Sequence, residues 1–460
     1  MIDIDVAGVA AAVGGTLVDC PDPGGRVTGA AADSRLVGAG DLYVAIVGER
    51  VDGHGFAAAA HAAGAVATLG QRPTGQPTIV VDDPVAALGR LAHHVLGRLP
   101  EARVVALTGS SGKTTTKDLI AGLLEDLGPT VAPAGSFNTE VGLPLTILRA
   151  TESTRFLVLE MGARGVGHVA TLCRIAPPDV GVVLNVGSAH LGEFGSREAI
   201  ARAKGEIIEA LDEQGLAVLN ADDPLVSGMA PRTRGRLATF GASAGATVRM
   251  VGLVLDEAAR PAFTLEHAGR SAPVRMAMVG EHMASDACAA AAVALDLGLP
   301  IERVAELLSA ATPRSRWRME VATTPDGVTV VNDSYNANPE SMRAALRSLA
   351  AMAHGGRTFA VLGEMRELGG DSIGEHDEIG RLAVRLDISK TIAVGRGARP
   401  LYLGAAQEGS WNDEAVWVPD PDAALAVLRE HLRPGDVVLV KASRSVGLEV
   451  VAEALLEGAR

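Results

Sequence analysis

The chain has 460 residues, too many for one hydrophobic core, so two or three domains are expected. Its formal net charge of -14 argues against a general nucleic-acid-binding or anionic-membrane surface, because either would need a basic face. Hydrophobic residues make up 48% of the chain and aromatic residues only 3%, so Ala, Val, Leu and Ile must build the core, which suits helices packed on parallel strands.

The cysteines indicate a reducing compartment. Cys20, Cys173 and Cys288 lie far apart, without Cys-x-x-Cys or Cys/His ligand spacing, and we interpret them as free thiols. Residues 1–5 lack a basic signal region, and no apolar run approaches the length of a membrane span. A cytoplasmic protein without membrane insertion is expected.

Residues 1–100 alternate short strands, turns and Ala-rich helical pieces, which predicts a small α/β domain ending near Pro100. Two polar segments stand out within it, Asp33-Ser34-Arg35 and Asp52-Gly53-His54. They fit a turn and a loop between strands. They also fit hydrogen-bond donors to a diphosphate, and the sequence leaves both interpretations open.

A glycine loop follows a short apolar strand at residues 104–107. Beyond the loop, apolar residues return at helical spacing until a Gly-Pro pair, so the pattern predicts strand, loop and helix. Free N–H groups and the helix dipole attract phosphate at such a position. An ordinary glycine-rich turn is the alternative, but Lys and Thr occupy the positions that phosphate binding requires. The loop is Thr108-Gly109-Ser110-Ser111-Gly112-Lys113-Thr114-Thr115.

Two further polar residues follow predicted core strands. Glu160 ends the strand at residues 156–159, and His190 follows the strand at residues 180–186. Ligands gather at the carboxyl ends of parallel strands, and an acid there beside a phosphate loop can hold Mg²⁺. A solvated or helix-capping glutamate and a hydrogen-bonded loop histidine are the alternatives.

The helix predicted over residues 196–211 carries a lysine in its apolar stripe. Ser196 can cap this helix, and Lys204 falls one turn after Ile200 and one turn before Ile208. The lysine stem can lie along apolar surface while the ammonium reaches water. If instead the amine is buried, its pKa is depressed and the neutral amine is reactive.

The rest of the chain predicts a β-rich insertion at residues 235–275, an Ala-rich helix beginning near His282, and a second alternating series of strands and helices. A basic linker at residues 312–320 marks the second domain boundary. Its three arginines fit either interdomain packing or phosphate contacts. The last series predicts a second doubly wound sheet whose loops gather at one edge.

Taken together and in this order, these stretches resemble the Mur ligases. The family's phosphate loop, T-G-[ST]-x-G-K-T, accounts for Leu107 where a more common loop has glycine. The resemblance implies an α/β protein of three domains: residues 1–100 holding a UDP-sugar, residues 101–313 forming a P-loop ATPase domain with a mainly parallel sheet, and residues 314–460 forming a Rossmann-like domain. The matching segments are residues 33–35, 52–54, 108–115, 138–144, 160–164, 188–207, 315–320, 333–339 and 441–449.

The family's reaction is ATP-driven amide formation through an acyl phosphate. The Lys-Ala-Ser-Arg-Ser-Val-Gly-Leu-Glu ending and the Ser-Arg-Trp-Arg-Met-Glu linker resemble the member that adds D-alanyl-D-alanine to a UDP-linked tripeptide. The Asp-Asn-Pro-Arg motif of the member that adds diaminopimelate or lysine does not occur in this sequence. The resemblance therefore implies a monomeric cytoplasmic enzyme with small-molecule substrates and no nucleic-acid partner.

The resemblance also implies roles for individual residues. Catalysis would depend on Lys113, Glu160, His190 and Lys204. One Mg²⁺ would be held by Thr114 and Glu160, and a second by His190 and Lys204, the latter as a carbamate formed with carbon dioxide. ATP would contact Thr108, Gly109, Ser110, Ser111, Gly112, Lys113, Thr114, Thr115, His282, Arg316, Asp333, Tyr335 and Asn336. The UDP-linked substrate would contact Ser34, Arg35, Gly53, His54, Asn138 and Thr139, and the amine substrate Ser443 and Arg444.

The Ala-rich helix departs from the family pattern. Family members usually begin this helix with His-Asn and carry a second Asn three residues on, whereas this chain has His282-Met283 and Asp286. Met283 cannot make the amide contacts that asparagine offers to adenine. Three other functions stay open from the sequence: a Mur ligase adding a single amino acid, a P-loop kinase, or a nucleotide-binding regulator without ligase activity. A folylpolyglutamate synthase shares the central architecture, but the Asp33-Ser34-Arg35 segment argues against it.

Overall fold

The computed structural model describes residues 1–188, 191–353, 355–409 and 413–458. The chain folds into three α/β parts, each built around its own sheet, as the sequence predicts. Among the described residues, no helix combines the length and apolar character needed to cross a bilayer.

The N-terminal part contains a five-stranded sheet in the order β2-β7-β6-β5-β4, with a small β1-β3 pair beside it. Neighbours from β4 to β7 run parallel, and β2 is antiparallel to β7. The strands are β1 (Ile4–Asp5), β2 (Thr16–Val18), β3 (Arg26–Val27), β4 (Gly29–Ala31), β5 (Asp41–Val44), β6 (Ala67–Gly70) and β7 (Thr78–Val80), and the helices are α1 (Val6–Val13), α2 (Ala57–Ala62) and α3 (Pro84–Gly97).

The central part contains nine strands in the order β16-β15-β14-β13-β12-β11-β8-β10-β9. The strands from β9 to β14 pair in parallel, and β14 to β16 form the predicted β-rich insertion as an antiparallel meander. The strands are β8 (Arg103–Thr108), β9 (Thr130–Val131), β10 (Phe156–Glu160), β11 (Val180–Val183), β12 (Leu216–Asn220), β13 (Arg236–Gly241), β14 (Val248–Leu255), β15 (Pro261–His267) and β16 (Arg270–Arg275). The helices are α4 (Lys113–Leu124), α5 (Gly142–Ile147), α6 (His168–Ile175), α7 (Leu191–Phe194), α8 (Arg197–Glu209), α9 (Pro224–Ser227), α10 (His282–Asp296) and α11 (Ile301–Ala310).

The C-terminal part contains six strands in the order β17-β18-β22-β19-β20-β21, all parallel except β17. This is the doubly wound sheet that the sequence predicts. The strands are β17 (Glu320–Thr323), β18 (Thr329–Asn332), β19 (Thr358–Leu362), β20 (Lys390–Val394), β21 (Ala415–Val418) and β22 (Val437–Lys441), and the helices are α12 (Pro339–Ala351), α13 (Ser372–Arg385), α14 (Arg399–Glu408), α15 (Pro421–His431) and α16 (Glu449–Glu457).

The order of the central strands determines where the polar loops meet. Strand β8 lies between β10 and β11, so the glycine loop, Glu160 and the segment after Val183 leave the same edge of the sheet side by side. The predicted third strand is shorter than expected, because its pairing with β8 ends at Val183 opposite Thr108. Residues 184–186 instead turn toward the glycine loop.

Small side chains allow the helices to approach the central sheet closely. The Ala-rich helix α10 is buried along most of its length and packs against α4 and strands β12 to β15. Helix α8 begins where the sequence predicts, with the Ser196 hydroxyl accepting a hydrogen bond from the Ala199 N–H at 3.1 Å. Both helices thereby present polar residues, Asp286 and Lys204, toward the same edge of the sheet as the glycine loop.

Candidate active site

A cleft of about 680 Å³ opens at the edge where β8, β10 and β11 end. Residues of both the central and the C-terminal parts line it. Most residues predicted from the sequence for ATP, metal and the amine substrate meet in this one cleft. Those that line it are Gly109, Ser110, Ser111, Gly112, Lys113, Thr114, Thr115, Asn138, Thr139, Glu160, Lys204, His282, Asp333, Tyr335, Asn336, Ser443 and Arg444.

One side chain of the central part makes three hydrogen bonds to the glycine loop. The amide oxygen of Asn185 accepts hydrogen bonds from the N–H groups of Ser110 and Ser111, both at 2.9 Å, and its NH₂ group donates to the Ser111 carbonyl at 3.2 Å. Gly112 begins helix α4 with φ 78°, a conformation that favours glycine. Asn185 was not among the predicted site residues, although it lies just past a core strand, the position that pointed to Glu160.

The side chain of Lys113 folds back onto its own glycine loop. Its ammonium donates a hydrogen bond to the Gly109 carbonyl at 2.8 Å. Burial lowers the pKa of Lys113, and the charge of Glu160 opposes that shift. The lysine is therefore folded into the concave side of the loop, where its positive charge would face phosphate oxygens.

Glu160 is almost fully buried, with 1% of its surface exposed, and both carboxylate oxygens are hydrogen-bonded. The Thr114 hydroxyl donates to Oε2 at 2.9 Å. Ser136 Oγ and Asn138 Nδ2 donate to Oε1 at 2.8 and 2.7 Å. Thr114 and Glu160, predicted together as metal ligands, are thus in direct contact.

Lys204 lies on the wall of the same cleft, with 5% of its surface exposed. Burial lowers its pKa well below the usual value for lysine, and the charge of Lys113 acts in the same direction. Among the described residues, no hydrogen-bond or ion-pair partner of its amine is found. The amine is therefore largely shielded from solvent. His190, its predicted companion at the second metal, lies outside the described residues.

The C-terminal part contributes Arg318, one of the three linker arginines but not among the residues predicted at ATP. Its guanidinium donates to the Thr114 hydroxyl at 3.0 Å and stacks 4.1 Å from the ring centre of Tyr335. Arg316, which was predicted at ATP, instead contacts Glu453 at 3.2 Å with 72% of its side chain exposed. It does not line the cleft. Of the two arginines, Arg318 faces the cleft and Arg316 does not, and the chain turns between them at Trp317, where φ is 59°.

Among the predicted residues of the C-terminal part, Asp333 forms a buried ion pair with Lys441, which was not itself predicted as a site residue. Lys441 donates to Asp333 at 2.5 Å and to the carbonyl of Asn336 at 2.8 Å. Burial lowers the pKa of Lys441, whereas Asp333 acts to raise it. Because these contacts join the end of β22 to the loop after β18, they fix the Asp333 to Asn336 segment at the cleft.

Two side chains at the start of helix α12 reach across to the central part, one from its N-cap and one from its first turn. Asn338 donates to the Ser110 carbonyl at 3.1 Å. Glu340 accepts hydrogen bonds from the N–H and the hydroxyl of Ser188, at 2.7 and 2.9 Å. The C-terminal part therefore rests directly on the glycine loop and on the loop after β11.

His282 and Asp286 approach the glycine loop from α10. Asp286 packs so closely on Gly112 that a Cβ there would come within 2.5 Å of Oδ1. Burial raises the pKa of Asp286 to about 8. Burial also lowers the pKa of His282. Met283 is 2% exposed, although the cleft reaches it.

The predicted UDP-substrate residues fall into two groups. Asn138 and Thr139 line the cleft, whereas Ser34, Arg35, Gly53 and His54 lie in the N-terminal part and do not. Arg35 is exposed and pairs with Asp33 at 2.6 Å. Both ring nitrogens of His54 are engaged, Nδ1 with Asp52 at 2.7 Å and Nε2 with the Gln71 N–H at 2.9 Å, so its ring braces the loop from inside.

Ser443 and Arg444 follow β22 at the cleft. The Ser443 hydroxyl accepts a hydrogen bond from the Arg366 N–H at 2.9 Å. The Arg444 guanidinium lies 4.3 Å from the ring centre of Trp317 and pairs with Glu449. These contacts orient both residues at the end of the cleft formed by the C-terminal part.

Three family descriptions match successive parts of the chain. They are the Mur ligase family catalytic domain at residues 26–95, the Mur ligase middle domain at residues 107–294, and the Mur ligase glutamate ligase domain at residues 317–444. The chain belongs to the Mur ligase family, which confirms the resemblance seen in the sequence.

Individual relatives match along their whole length. The UDP-N-acetylmuramoyl-tripeptide–D-alanyl-D-alanine ligase of Mycobacterium leprae is 50% identical over 99% of both chains, and that of Bacillus subtilis is 34% identical over 99% of both. A crystal structure of MurF from Acinetobacter baumannii superposes with a TM-score of 0.87 at 30% identity, covering 99% of both chains. The MurF ligase of Thermotoga maritima in complex with ADP gives a TM-score of 0.80 at 32% identity, covering 94% of this chain and 98% of that one.

Substitutions of Arg318 and Arg316 provide a matched pair of variants that tests the contribution of each arginine to nucleotide binding. We expect Arg318→Met to weaken ATP binding about 10- to 100-fold, because a hydrogen bond to a charged group contributes about 1.5–3 kcal/mol. Arg316→Met should weaken it less than about fivefold, as exposed ion pairs contribute at most about 1 kcal/mol. Isothermal titration calorimetry measures both, and a larger loss for Arg316→Met would contradict the assignment.

Asp286 should make the stability of the fold depend on pH. Its pKa rises from 3.8 in the unfolded chain to about 8, so the folded protein retains a proton that the unfolded chain releases. The contribution is therefore present below about pH 4 and is lost as the pH rises to about 8, with a slope of at most about 1.4 kcal/mol per pH unit. Asp286→Asn should remove this slope in denaturant unfolding at pH 5 and 8. Parallel pH profiles for the two proteins would contradict the prediction.

Proposed function

We propose that this chain is an ATP-dependent ligase that joins the amine of D-alanyl-D-alanine to a carboxylate of UDP-N-acetylmuramoyl-tripeptide, forming the pentapeptide precursor of peptidoglycan. The observation that carries the proposal is that Lys113, Glu160 and the buried amine of Lys204 line one cleft. The relatives named for this reaction match over whole chains, which supports the choice of substrates.

The chemistry requires two successive displacements. A carboxylate does not condense with an amine at neutral pH, because its oxygen is a poor leaving group. A carboxylate oxygen therefore attacks the γ-phosphorus of ATP, the bond to the bridging oxygen breaks, and ADP leaves. The amine nitrogen then attacks the acyl carbon, the bond to the phosphate oxygen breaks, and the nitrogen loses a proton as phosphate departs.

The first displacement brings two anions together, so positive charge must be concentrated where they meet. The chain as a whole is acidic, and the charge must come from local groups. Lys113 and the loop amides would hold the terminal phosphates of ATP. Arg318, hydrogen-bonded to Thr114, would add a second cation from the C-terminal part.

The donor set at Thr114 and Glu160 fits Mg²⁺, which prefers hydroxyl, carboxylate and phosphate oxygens. The described residues hold no cluster of three His, Cys, Asp or Glu side chains that could cage a metal. This suits Mg²⁺ bound through one or two carboxylates together with substrate phosphates. Bound there, Mg²⁺ would neutralise phosphate charge, while Ser136 and Asn138 keep the Glu160 carboxylate oriented.

Lys204 is proposed to carry a carbamate. Burial lowers the pKa of its amine and so favours the neutral form, whose nitrogen lone pair can add to carbon dioxide with loss of a proton. The product is a carboxylate-like oxygen ligand in place of a cation. With His190, it would hold a second Mg²⁺.

The division of labour among the three parts is also proposed. Residues 1–100 would hold the UDP portion through the Ser34-Arg35 and Gly53-His54 segments, with Asn138 and Thr139 meeting the substrate nearer the cleft. Residues 101–313 would bind ATP, together with Asp333, Tyr335 and Asn336 from residues 314–460. Ser443 and Arg444 would meet the amine substrate. A monomer acting in the cytoplasm remains a prediction.

The reaction itself is the direct test. Purified protein is given Mg-ATP and the UDP-linked tripeptide, with lysine or diaminopimelate as its third residue, and is offered D-alanyl-D-alanine or single amino acids. We expect phosphate and pentapeptide to form in equal amounts, and only with the dipeptide. Phosphate release that ignores the dipeptide would favour a regulator, whereas a stable phosphorylated product would indicate a kinase.

Lys204 separates a ligase from a simple nucleotide-binding protein. We expect Lys204→Ala to lower the ligation rate more than about 100-fold, since even outer-shell partners of metal ligands change activity about 10- to 100-fold. Formate or acetate should partly restore the rate of Lys204→Ala. Lys204→Arg, which keeps a cation but cannot form a carbamate, should be inactive and not rescued.

A ¹³C NMR signal of a carbamate, formed from labelled bicarbonate in the wild type and absent in Lys204→Arg, provides a second readout. Full activity of Lys204→Ala would rule the role out.

A further inference from the structure

A second lysine of helix α4, Lys117, is buried more completely than Lys113. Its side chain has no exposed surface, and it lies one turn after Thr114. Its ammonium donates to the carbonyl oxygens of Pro133 and Gly135, at 2.5 and 3.3 Å. The charge is paired with Asp118 at 2.7 Å. Burying an ion pair is costly, so such a pair gives only weak grounds for expecting added stability.

Lys117 binds the loop at residues 133–138, and side chains of this loop hydrogen-bond to Glu160. We call this segment the Glu160 loop. Ser136 follows Gly135 directly, and its hydroxyl, with the amide of Asn138, donates to Glu160 Oε1. Thr114, on the same helix as Lys117, donates to the other oxygen. Lys117 therefore connects the helix that holds one side of the carboxylate to the loop that holds the other side.

The same pair also holds the linker to the C-terminal part. Lys117 lies 3.5 Å from the hydroxyl of Ser315, and Asp118 accepts a hydrogen bond from the Ser315 N–H at 3.1 Å. Three residues beyond Ser315, Arg318 enters the cleft and meets Thr114. The linker and the Glu160 loop thus share one buried anchor.

We propose that Lys117 is a positioning residue that orients the Glu160 carboxylate for a divalent cation. It also couples that orientation to the position of the linker at Ser315. The inference rests on the proposed metal site at Thr114 and Glu160. It assigns Lys117 no contact with substrate. Its action passes through the carbonyl oxygens of Pro133 and Gly135.

The test is metal affinity in a nucleotide complex. Mn²⁺ binding to the ADP complex is followed by electron paramagnetic resonance in the wild type and in Lys117→Met. We expect a loss of about 10- to 100-fold in Mn²⁺ affinity, as for other outer-shell partners of metal ligands. Affinity for metal-free ADP should change less than about threefold, because Asn185 and Gly112 still shape the glycine loop.

Arg314 supplies the matched control. It joins the same linker to the end of the same helix through Glu125, at 2.6 and 2.7 Å, but both side chains are about half exposed and neither touches the Glu160 loop. Arg314→Met should leave Mn²⁺ affinity within about twofold of wild type. An equal loss in both variants would show that any anchor of the linker suffices, and would overturn the proposal.

A double-mutant cycle tests the route. If Lys117 acts through the loop, the losses of Mn²⁺ affinity in Ser136→Ala and Lys117→Met should not add. The double variant should bind Mn²⁺ at most about twofold more weakly than whichever single variant has the lower affinity. Additive losses would overturn the route. Should Lys117→Met not fold, Ser315→Ala retains the lysine. It should weaken Mn²⁺ binding about two- to fivefold, and no change would count against the proposal.

These outcomes are distinguishable from failure of the proposed reaction. If the protein makes no amide but Lys117→Met lowers Mn²⁺ affinity, the positioning role of Lys117 is supported and the proposed substrates are contradicted. If the protein is an active ligase but Lys117→Met binds Mn²⁺ normally, the proposed function is supported and the positioning role of Lys117 is contradicted.

Discussion

The hydrogen bonding of one buried carboxylate organises the active cleft. Glu160 is 1% exposed, and a carboxylate can be buried to this extent only when donors satisfy its oxygens. Those donors come from helix α4 on one side and from the loop after β9 on the other. The glycine loop, the end of β10 and the segment around Ser136 are thereby held in one fixed arrangement.

The surrounding charges are arranged by burial. Lys113, Lys204 and Lys441 all have pKa values lowered by burial, yet their surroundings differ. Lys441 has an acidic partner in Asp333, Lys113 has the charge of Glu160 nearby, and Lys204 has no ion pair among the described residues. An acidic chain can therefore place three buried amines along one cleft, and Lys204, which has no ion pair among the described residues, is the proposed site of the carbamate.

The site belongs to two parts of the chain at once. Arg318, Asn338 and Glu340 from the C-terminal part contact Thr114, Ser110 and Ser188 of the central part. These contacts are hydrogen bonds between a few polar groups, with apolar packing continuing across the same boundary. A reaction that must exclude water and then release its products suits a cleft closed in this way.

The fold class and most of the residues that line the cleft could be predicted from local patterns in the chain. Apolar runs of strand length alternating with amphipathic helices are local patterns, and the glycine loop with Lys113 and Thr114 is a local motif, so both can be read without knowing the packing. Glu160 and Lys204 were found for a related reason, because one ends a strand and the other interrupts an apolar stripe. The family resemblance supplied the roles that local patterns could not.

Which of two neighbouring residues faces inward could be seen only in the folded chain. Arg316 and Arg318 stand two residues apart in one linker, and a positive φ at Trp317 accompanies the inward turn of the second. The contacts of Asn185, Lys117 and His54 are with partners distant in sequence. Asn185 binds the glycine loop, Lys117 binds the carbonyl oxygen of Pro133, and His54 binds the Gln71 N–H. Such contacts form where strands and helices from separate segments pack together. Short-range periodicity in the sequence does not indicate which distant segments meet.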